Sequence, residues 1–514
     1  MDLRSLNKDV RRGAVGLEEV LALLERLNRR LGKVERENRR LRERLAQYEP
    51  EIAKEPLAEE GDGADQCTRY SLADEERRRG AKRTKPERVG RVATAEKMLQ
   101  ADRIEELPPA NERSPDAKEV SQRVVWRIEN GQATRVGYKV FREPDGTRGE
   151  IPDVLPRGEY DLEIVVAVAY LTYIMRLSMD QVCELVSFFW KLPLQKSQAD
   201  ALLNELGTAW TPIFEQICDL LVHAVVVGTD ETGWKVGTAT SNTAVFSSEG
   251  ETVLLFNCIK GRETLNKILP PEIFKGTVTC DDHATYQSLR KVQKCWPHLL
   301  RKAIKLTLLY PENATYREFL NGALAIFYEA KERRADKRLS DAGRLRLAQE
   351  LAAKTRTLVE PHCSWNQATA ARTPHAHDFE LLAEEIHRLV ELDQLFTFVK
   401  DLRVPADNND SERTLRGPAQ CRQLNRTSKS AAGAERRSVA TTVLETLRKH
   451  LTQFDLSSVV TEIKTWTNAT LNPFAQRLAT FRQAAEAAAT CVATAAAAAI
   501  KSTQPAPAPA AAPD

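Results

Sequence analysis

The sequence lacks paired cysteines and long apolar runs, and each absence excludes a class of protein. Its nine cysteines are scattered with no Cys-x-x-Cys pair, which favours reduced thiols over a disulfide framework or a zinc site. The most apolar stretch, Leu162 to Met175, contains Glu163 and is shorter than the ~20 residues that a membrane span needs. Met1 to Gly13 are charged and have no apolar core, so we expect no secretory signal, no membrane segment and a cytoplasmic protein.

A strong charge of either sign is also missing. The chain has 75 basic and 72 acidic residues, so its net charge of +3 does not identify a partner and only local clusters can do so. The 42% of hydrophobic and 29% of charged residues are ordinary for a soluble protein. A chain of 514 residues is too long for one compact core, so we expect several domains.

Residues 1–50 carry a heptad repeat. Between Leu17 and Tyr48, apolar residues recur at alternating steps of three and four, and only Asn38 interrupts them. A single Asn in such a seam commonly fixes register and oligomer state, so we predict a coiled coil that forms a homodimer or higher oligomer. The alternative is a single amphipathic helix that packs on its own domain.

Residues 51–95 are polar, poor in aromatics and predicted to be a linker. They contain a basic cluster whose members are Arg77, Arg78, Arg79, Lys82, Arg83, Lys85, Arg88 and Arg91. Such a cluster is either simply solvated or neutralises DNA phosphates, and the sequence leaves both interpretations open.

Residues 96–155 predict a small β-rich module. Its strand signals lie at residues 124–128 and 137–141, and its turn signals lie at Asn130-Gly131 and Asp145-Gly146.

Residues 156–222 are helical by pattern. Ser178 and Ser197 are suitable N-caps for two helices, and Gly207 is suitably placed to end the second. Two short helices across a tight break are typical either of a DNA-reading helix-turn-helix or of ordinary helical packing.

Residues 223–450 contain three acidic stretches. The apolar run Ala224 to Val227 predicts a strand covered on both faces that ends in the first of them, and Thr277 to Cys280 predicts a strand that ends in the second. The acids concerned are Asp230, then Asp281 with Asp282, and then Asp407, Asp410 and Glu412. Three carboxylates brought together would repel one another and would therefore require a divalent metal.

The rest of the chain is predicted to be mostly helical. A helical insertion occupies about 303–400, with residues 319–333 and 381–399 as its clearest helices. A helical segment at 451–483 then precedes an Ala- and Pro-rich tail at 484–514.

Four short stretches of the chain together resemble sequences of the transposases of the insertion sequence 66 family. They are Thr229-Asp230-Glu231-Thr232-Gly233-Trp234, Asp281 through Tyr286, Cys295-Trp296-Pro297-His298-Leu299-Leu300-Arg301-Lys302, and Asp407 through Arg416. The last is the most specific because it is long. The resemblance implies an α/β, RNase H-like catalytic core with a large helical insertion, and it puts a DDE triad on Asp230, Asp281 and Glu412.

The resemblance also implies partners and chemistry. The reaction would cleave transposon-end DNA and join the freed 3′-hydroxyl to target DNA. The triad would bind two Mg²⁺ or Mn²⁺ ions, with Asp230 bridging them. Double-stranded DNA and possible accessory transposition proteins are the expected partners. Two alternatives are a catalytically decayed, dimeric DNA-binding protein and a coiled-coil scaffold.

The chain departs from the family in one respect. Family members usually carry a cysteine-rich zinc module between the coil and the helical region, but no cysteine lies between Cys67 and Cys183. Ser114 and Ala117 stand about where a first pair is expected, and neither supplies a thiolate, so we expect a metal-free β unit.

Several residues near the triad have two interpretations. Asp282 could replace Asp281 as ligand, although neighbouring strand residues point to opposite faces and the family spacing favours Asp281. Arg413 and Arg416 are candidate DNA contacts, and the alternative for Arg416 is an ion pair with Glu412. His298 is either a DNA contact or a packed core residue.

Overall fold

The computed structural model describes residues 92–109, 114–283, 285, 286, 289, 291–366 and 374–483. The predicted coiled coil, the basic cluster through Arg91 and the Ala- and Pro-rich tail lie outside the described residues. The described part is a mixed α/β structure with two sheets and many helices. None of its helices combines the length and the apolar character that crossing a membrane requires.

The strands are β1 Arg103–Leu107, β2 Lys118–Glu129, β3 Gln132–Arg142, β4 Val226–Val236, β5 Ala239–Ser247, β6 Thr252–Cys258, β7 Thr277–Cys280 and β8 Val292–Lys294. The helices are α1 Thr94–Leu99, α2 Leu162–Ala169, α3 Met179–Trp190, α4 Lys196–Leu221, α5 Arg262–Ile268, α6 Trp296–Leu309, α7 Ala314–Arg334, α8 Asp341–Val359, α9 Pro374–Glu391, α10 Thr397–Lys400, α11 Asn409–Gln423, α12 Ala431–His450 and α13 Leu456–Thr467. A π-helical turn, Tyr170–Ile174, extends α2, and residues 473–483 are also helical.

The smaller sheet has the strand order β1-β3-β2. Its hairpin turns at Asn130 and Gly131, both of which have positive φ angles, 51° and 76°. Turns of that hand match the twist of the flanking strands, so the predicted turn and both strands are confirmed.

The helices before the larger sheet agree only in part with the sequence prediction. Ser178 caps α3 as expected, through a capping box with Gln181. The expected cap of α4 was wrong, because Gln195 and not Ser197 precedes the helix. Gly207 does not end α4 either. A Cβ there would lie 3.0 Å from Cγ of Arg436, so the glycine permits close packing against α12.

The larger sheet has the order β6-β5-β4-β7-β8. Strands β4, β5 and β6 are antiparallel, whereas β7 and β8 run parallel to β4. The expectation that β4 ends near Asp230 was wrong, because the strand continues to Val236 in its hairpin with β5. Burial of the apolar run on both faces is also not found, since Val225, just before β4, is 46% exposed and Val226 is only partly buried.

Both faces of the larger sheet are covered. On one face Val227, Phe246 and Val278 pack into a core shared with α2 to α5, α12 and α13. On the other face Val245 and Trp234 pack against α11 and the start of α12. Because side chains alternate along a strand, β5 serves both cores with neighbouring residues.

Helix α12 also covers the edge of the sheet that β6 forms. The hydroxyls of Ser438, Thr442 and Thr446 accept hydrogen bonds from the N–H groups of Phe256, Leu254 and Thr252 on β6. Four residues of helix advance about 6 Å and two residues of strand advance about 6.6 Å, so the two repeats match. The edge strand is therefore closed to pairing with another chain.

Helices α6 to α10 form a separate core around Trp296, Phe319 and Phe398. The helix predicted over 319–333 is confirmed within α7. The helix predicted over 381–399 is two helices, since α9 ends at Glu391 and Asp393 adopts a positive φ of 57° before α10.

Candidate active site

Strand pairing places Asp230 beside Asp281. The parallel register of β4 and β7 ends with Gly228 opposite Thr279, and each aspartate follows two residues later. Residues at equal distances beyond the same pair of two parallel strands lie side by side. The two acids therefore lie side by side just beyond the end of the β4–β7 pairing, although they are far apart in the sequence. We call this place the triad edge.

Glu412 reaches the same edge because the start of α11 is fixed to β4. The buried side chain of Asn408, just before α11, donates from Nδ2 to the carbonyl of Thr229 at 2.7 Å. A Cβ at Gly228 would lie 2.5 Å from Ser411 Oγ, so only glycine permits this approach. Asn408 and Gly228 thus fix the start of α11, which carries Glu412, against the strand residues that precede Asp230.

The three carboxylates interact electrostatically. The pKa of Asp230 is raised to about 6, chiefly by burial and then by the negative charges of Asp281 and Glu412, against the opposing Glu231 N–H. The pKa of Glu231 is also raised, first by burial. In the described part of the chain neither Asp230 nor Asp281 forms an ion pair. Two of the three carboxylates, those of Asp230 and Asp281, therefore lack an ion-pair partner in the described structure.

Asp282 differs from Asp281 in its surroundings. Its carboxylate accepts from Arg388 of α9 and lies 3.6 Å from Nζ of Lys294. The same buried Lys294 donates to the backbone carbonyl of Asp281 at 2.7 Å, while the Asp281 carboxylate accepts only from the His283 N–H and forms no ion pair within the described residues. Two cations thus neutralise the carboxylate of Asp282, which favours Asp281 as the acid of the site.

Glu412 lies near an arginine, a histidine and a cysteine thiol. Nη2 of Arg301 lies 3.0 Å from its Oε1, and Nδ1 of His298 lies 3.5 Å away. Burial and the nearby Arg301 lower the pKa of His298. Cys295, His298 and Glu412 offer donor atoms within 4.8 Å of one another, and burial raises the pKa of the Cys295 thiol to about 11.

The predicted DNA contacts have different environments. Arg413 lies 3.5 Å from Asp410, one turn back on α11. Arg416 is exposed and forms no ion pair with Glu412 within the described residues, where Arg301 is the partner instead. His298 is half-buried beside Glu412. The cluster Arg77, Arg78, Arg79, Lys82 and Arg83 lies outside the described residues.

Sequence reasoning gave no role to Arg301, Asn408 or Lys294. Two of them lie within motifs that it quoted, Arg301 in the Cys295 to Lys302 stretch and Asn408 in the Asp407 to Arg416 stretch. Their function depends on partners distant in sequence, Glu412 and Thr229. Lys294, in β8, gave no signal beyond its place before Cys295.

Comparison with known proteins identifies a family for the central part of the chain. A family model described as "Transposase IS66 family" matches residues 157–436, a range that includes Asp230, Asp281 and Glu412. No curated protein matches the chain significantly.

Proposed function

The chain belongs to the Transposase IS66 family, and from this premise we propose that it is a DDE transposase in which Asp230, Asp281 and Glu412 hold two Mg²⁺ or Mn²⁺ ions. The observation that carries the proposal is the triad edge. The register after Gly228 and Thr279 brings two acids together there, and α11 adds the third. The strand order, three antiparallel strands followed by two parallel ones, supports an RNase H-like core.

The residues present suit hard divalent cations. All three triad donors are carboxylate oxygens, which Mg²⁺ and Mn²⁺ prefer over soft ligands. Asp230 and Asp281 have no ion-pair partner among the described residues, so a bound cation would relieve their repulsion. The nearby Cys295 thiol stays protonated at neutral pH because burial raises its pKa, which disfavours a thiolate site there.

Divalent ions in such a site activate the attacking oxygen and stabilise the charge that develops on the leaving oxygen. The chain's own contribution is position. Lys294 fixes the backbone at Asp281, Asn408 fixes the start of α11 relative to Asp230, and Arg301 orients the carboxylate of Glu412. Rigid placement of this kind supplies much of the rate enhancement in phosphoryl transfer.

The reaction has two balanced displacements. In the first, a water oxygen bonds to phosphorus at the transposon end, and the 3′ oxygen leaves and takes up a proton. In the second, the freed 3′-hydroxyl loses its proton and attacks a target phosphodiester, whose own 3′ oxygen leaves and takes up a proton. One phosphodiester bond forms for each that breaks in the second step, so no energy-rich cofactor is required.

The proposed partners are transposon-end and target DNA in double-stranded form, and a second copy of the chain through the coil at residues 1–50. Accessory transposition proteins are further proposed partners. Helices α3 and α4 are proposed to read the DNA sequence. A decayed, DNA-binding protein is the alternative, and the grouping of the three acids supports the enzyme over it.

The proposal is tested by incubating the purified full-length chain and Mg²⁺ with a labelled duplex that carries the terminal repeat of its element. We expect nicking that is abolished by EDTA and lost in Glu412→Gln. Glu249→Gln, which alters an exposed carboxylate in the β5–β6 turn, serves as the matched control. Binding of the duplex without nicking in wild type and variants alike would instead favour the decayed form.

A further inference from the structure

A second charged site lies between α11 and α12. It is a cavity of about 420 Å³ whose lining includes six cationic side chains and two carboxylates, those of Asp410 and Glu445. The six cations are Arg176, Arg413, Arg416, Arg437, Arg448 and Lys449, and we call this cavity the basic pocket. Such an excess of positive charge within one cavity is suited to an anion.

Arg437 is held in place without an anionic partner. Its guanidinium lies over the rings of Tyr173, Trp234 and Phe256, 5.1, 5.4 and 5.6 Å from their centres. No ion pair of Arg437, Arg176 or Arg416 occurs in the described part of the chain, whereas Arg413 and Lys449 pair with Asp410 and Arg448 pairs with Glu445. The rings therefore fix a fork of N–H donors whose charge is not neutralised.

Thr441 gives independent evidence for a ligand. It is 6% exposed, lines the basic pocket, and its hydroxyl has no hydrogen-bond partner within the described structure. The hydroxyl of the next residue, Thr442, bonds to β6 instead. Buried hydroxyls nearly always have a partner, and a ligand in the pocket that this side chain lines would supply the one that Thr441 lacks.

The basic pocket adjoins the triad. Arg416 lies four residues after Glu412, about 6 Å along α11, and is also part of the pocket lining. Gly417 keeps α11 close to Arg176, because a Cβ there would lie 3.0 Å from Nη1 of that arginine. A strand bound at Glu412 and continuing past Arg416 would therefore enter the pocket.

We propose that the basic pocket binds a backbone phosphate of the DNA strand that is cut, about 6 Å from the scissile bond, the length of one turn of α11. The inference rests on the proposed transposase function. Arginine forks and hydroxyl groups together suit the non-bridging oxygens of a phosphodiester. Free inorganic phosphate shares this chemistry, and the experiment separates the two ligands.

The test measures binding of the full-length chain to a labelled duplex in EDTA, where no cutting occurs, over a range of salt concentrations. Thr441→Val removes the free hydroxyl and keeps the side-chain shape. We expect affinity to fall by about threefold to tenfold while Tm does not fall, because the lost hydroxyl had no partner in the folded protein. Thr442→Val is the control, with a lower Tm and unchanged affinity, since its hydroxyl bonds to β6.

Two further variants test the charges. Arg437→Lys keeps the charge but loses the fork, and we expect affinity to fall about tenfold. Arg416 is an exposed residue. For Arg416→Gln we expect the slope of the log of the DNA-binding constant against log salt to become shallower by about 0.9, the value for one phosphate contact. Unchanged DNA affinity in both Thr441→Val and Arg437→Lys would overturn the proposal.

The free-phosphate alternative has its own result. If inorganic phosphate raises the Tm of the wild type but not of Thr441→Val, and DNA affinity is equal in both, the pocket binds free anion and the DNA proposal is wrong. Binding is measured without metal, so the outcome is separate from catalysis. Nicking with unaltered binding in the pocket variants would leave the transposase proposal intact and remove only this one.

Discussion

Arg301 holds the carboxylate of Glu412, with its Nη2 3.0 Å from Oε1 and 3.4 Å from Oε2. The arginine comes from α6 and the glutamate from α11, so the contact joins the separate helical core of α6 to α10 to the three acids. A guanidinium in this position orients the carboxylate and competes with a metal for the same oxygens.

We therefore predict opposite effects of Arg301→Gln on metal affinity and on turnover. The Mg²⁺ concentration for half-maximal nicking is expected to fall by about threefold to tenfold, an effect of roughly 1 kcal/mol, because a competing positive charge is removed. Turnover at saturating Mg²⁺ is expected to fall because Glu412 loses its orienting partner. Metal titrations of nicking check both, with Arg338→Gln as the control at an exposed arginine paired to Asp336. Weaker Mg²⁺ binding in Arg301→Gln would contradict this role.

Asp230 predicts a pH-dependent stability. Its folded pKa is raised from 3.8 to about 6, so the folded chain binds the proton more tightly than the unfolded chain, and stability falls as pH rises from about 4 to 6. In EDTA at pH 7, Asp230→Asn is expected to be more stable than wild type by up to about 3 kcal/mol. Thermal unfolding at pH 4 and pH 7 checks this, and an equal gain at both values would show that the charge is not the cause.

The same titration predicts the pH dependence of nicking. Metal must displace the proton from Asp230, so the Mg²⁺ requirement is expected to rise as pH falls below about 6. Nicking measured from pH 5 to pH 8 at limiting and at saturating Mg²⁺ tests this. The apparent pKa should move to lower pH at saturating metal, and a profile independent of Mg²⁺ concentration would rule the explanation out.

Gly228→Ala is expected to separate α11 from β4. The new Cβ would lie 2.5 Å from Ser411 Oγ and 3.0 Å from Asn408 Oδ1, so the start of α11 must move. We expect at least about 100-fold slower nicking, because small displacements of catalytic groups are costly, with a stability loss of about 1–3 kcal/mol. Gly250→Ala is the control, since the nearest atom to its Cβ lies 3.9 Å away. Nicking at the wild-type rate in Gly228→Ala would show that this close approach is not required.

Asn408→Asp tests the hydrogen bond that fixes Glu412. The change is isosteric but removes the Nδ2 donor to the Thr229 carbonyl and places a negative charge there. We expect lower turnover and a stability loss of about 1–3 kcal/mol, the cost of an unsatisfied buried group. Asn409→Asp adds the same charge at the next, exposed position and is expected to have little effect on either measurement. Equal losses in the two variants would mean that charge alone, and not the hydrogen bond, is responsible.

The sequence by itself determined which acids to consider and where most strands and helices lie. The hairpin at Asn130-Gly131, the cap at Ser178 and the strand before Asp281 depend on local chemistry, which neighbouring residues specify. Local pattern did not determine the extent of β4 or the passage of α4 through Gly207. Those depend on the hairpin partner β5 and on packing against Arg436.

Only the tertiary structure decided how the acids are arranged and what surrounds them. Asp281 and Asp282 are adjacent in sequence, and the distinction between them depends on Lys294 and Arg388, which form ion pairs with the carboxylate of Asp282 and not with that of Asp281. Arg301 acquires a role only because α6 and α11 meet at Glu412. The physical reason is that strand register and helix docking set these distances, and both depend on contacts between residues that are far apart in the chain.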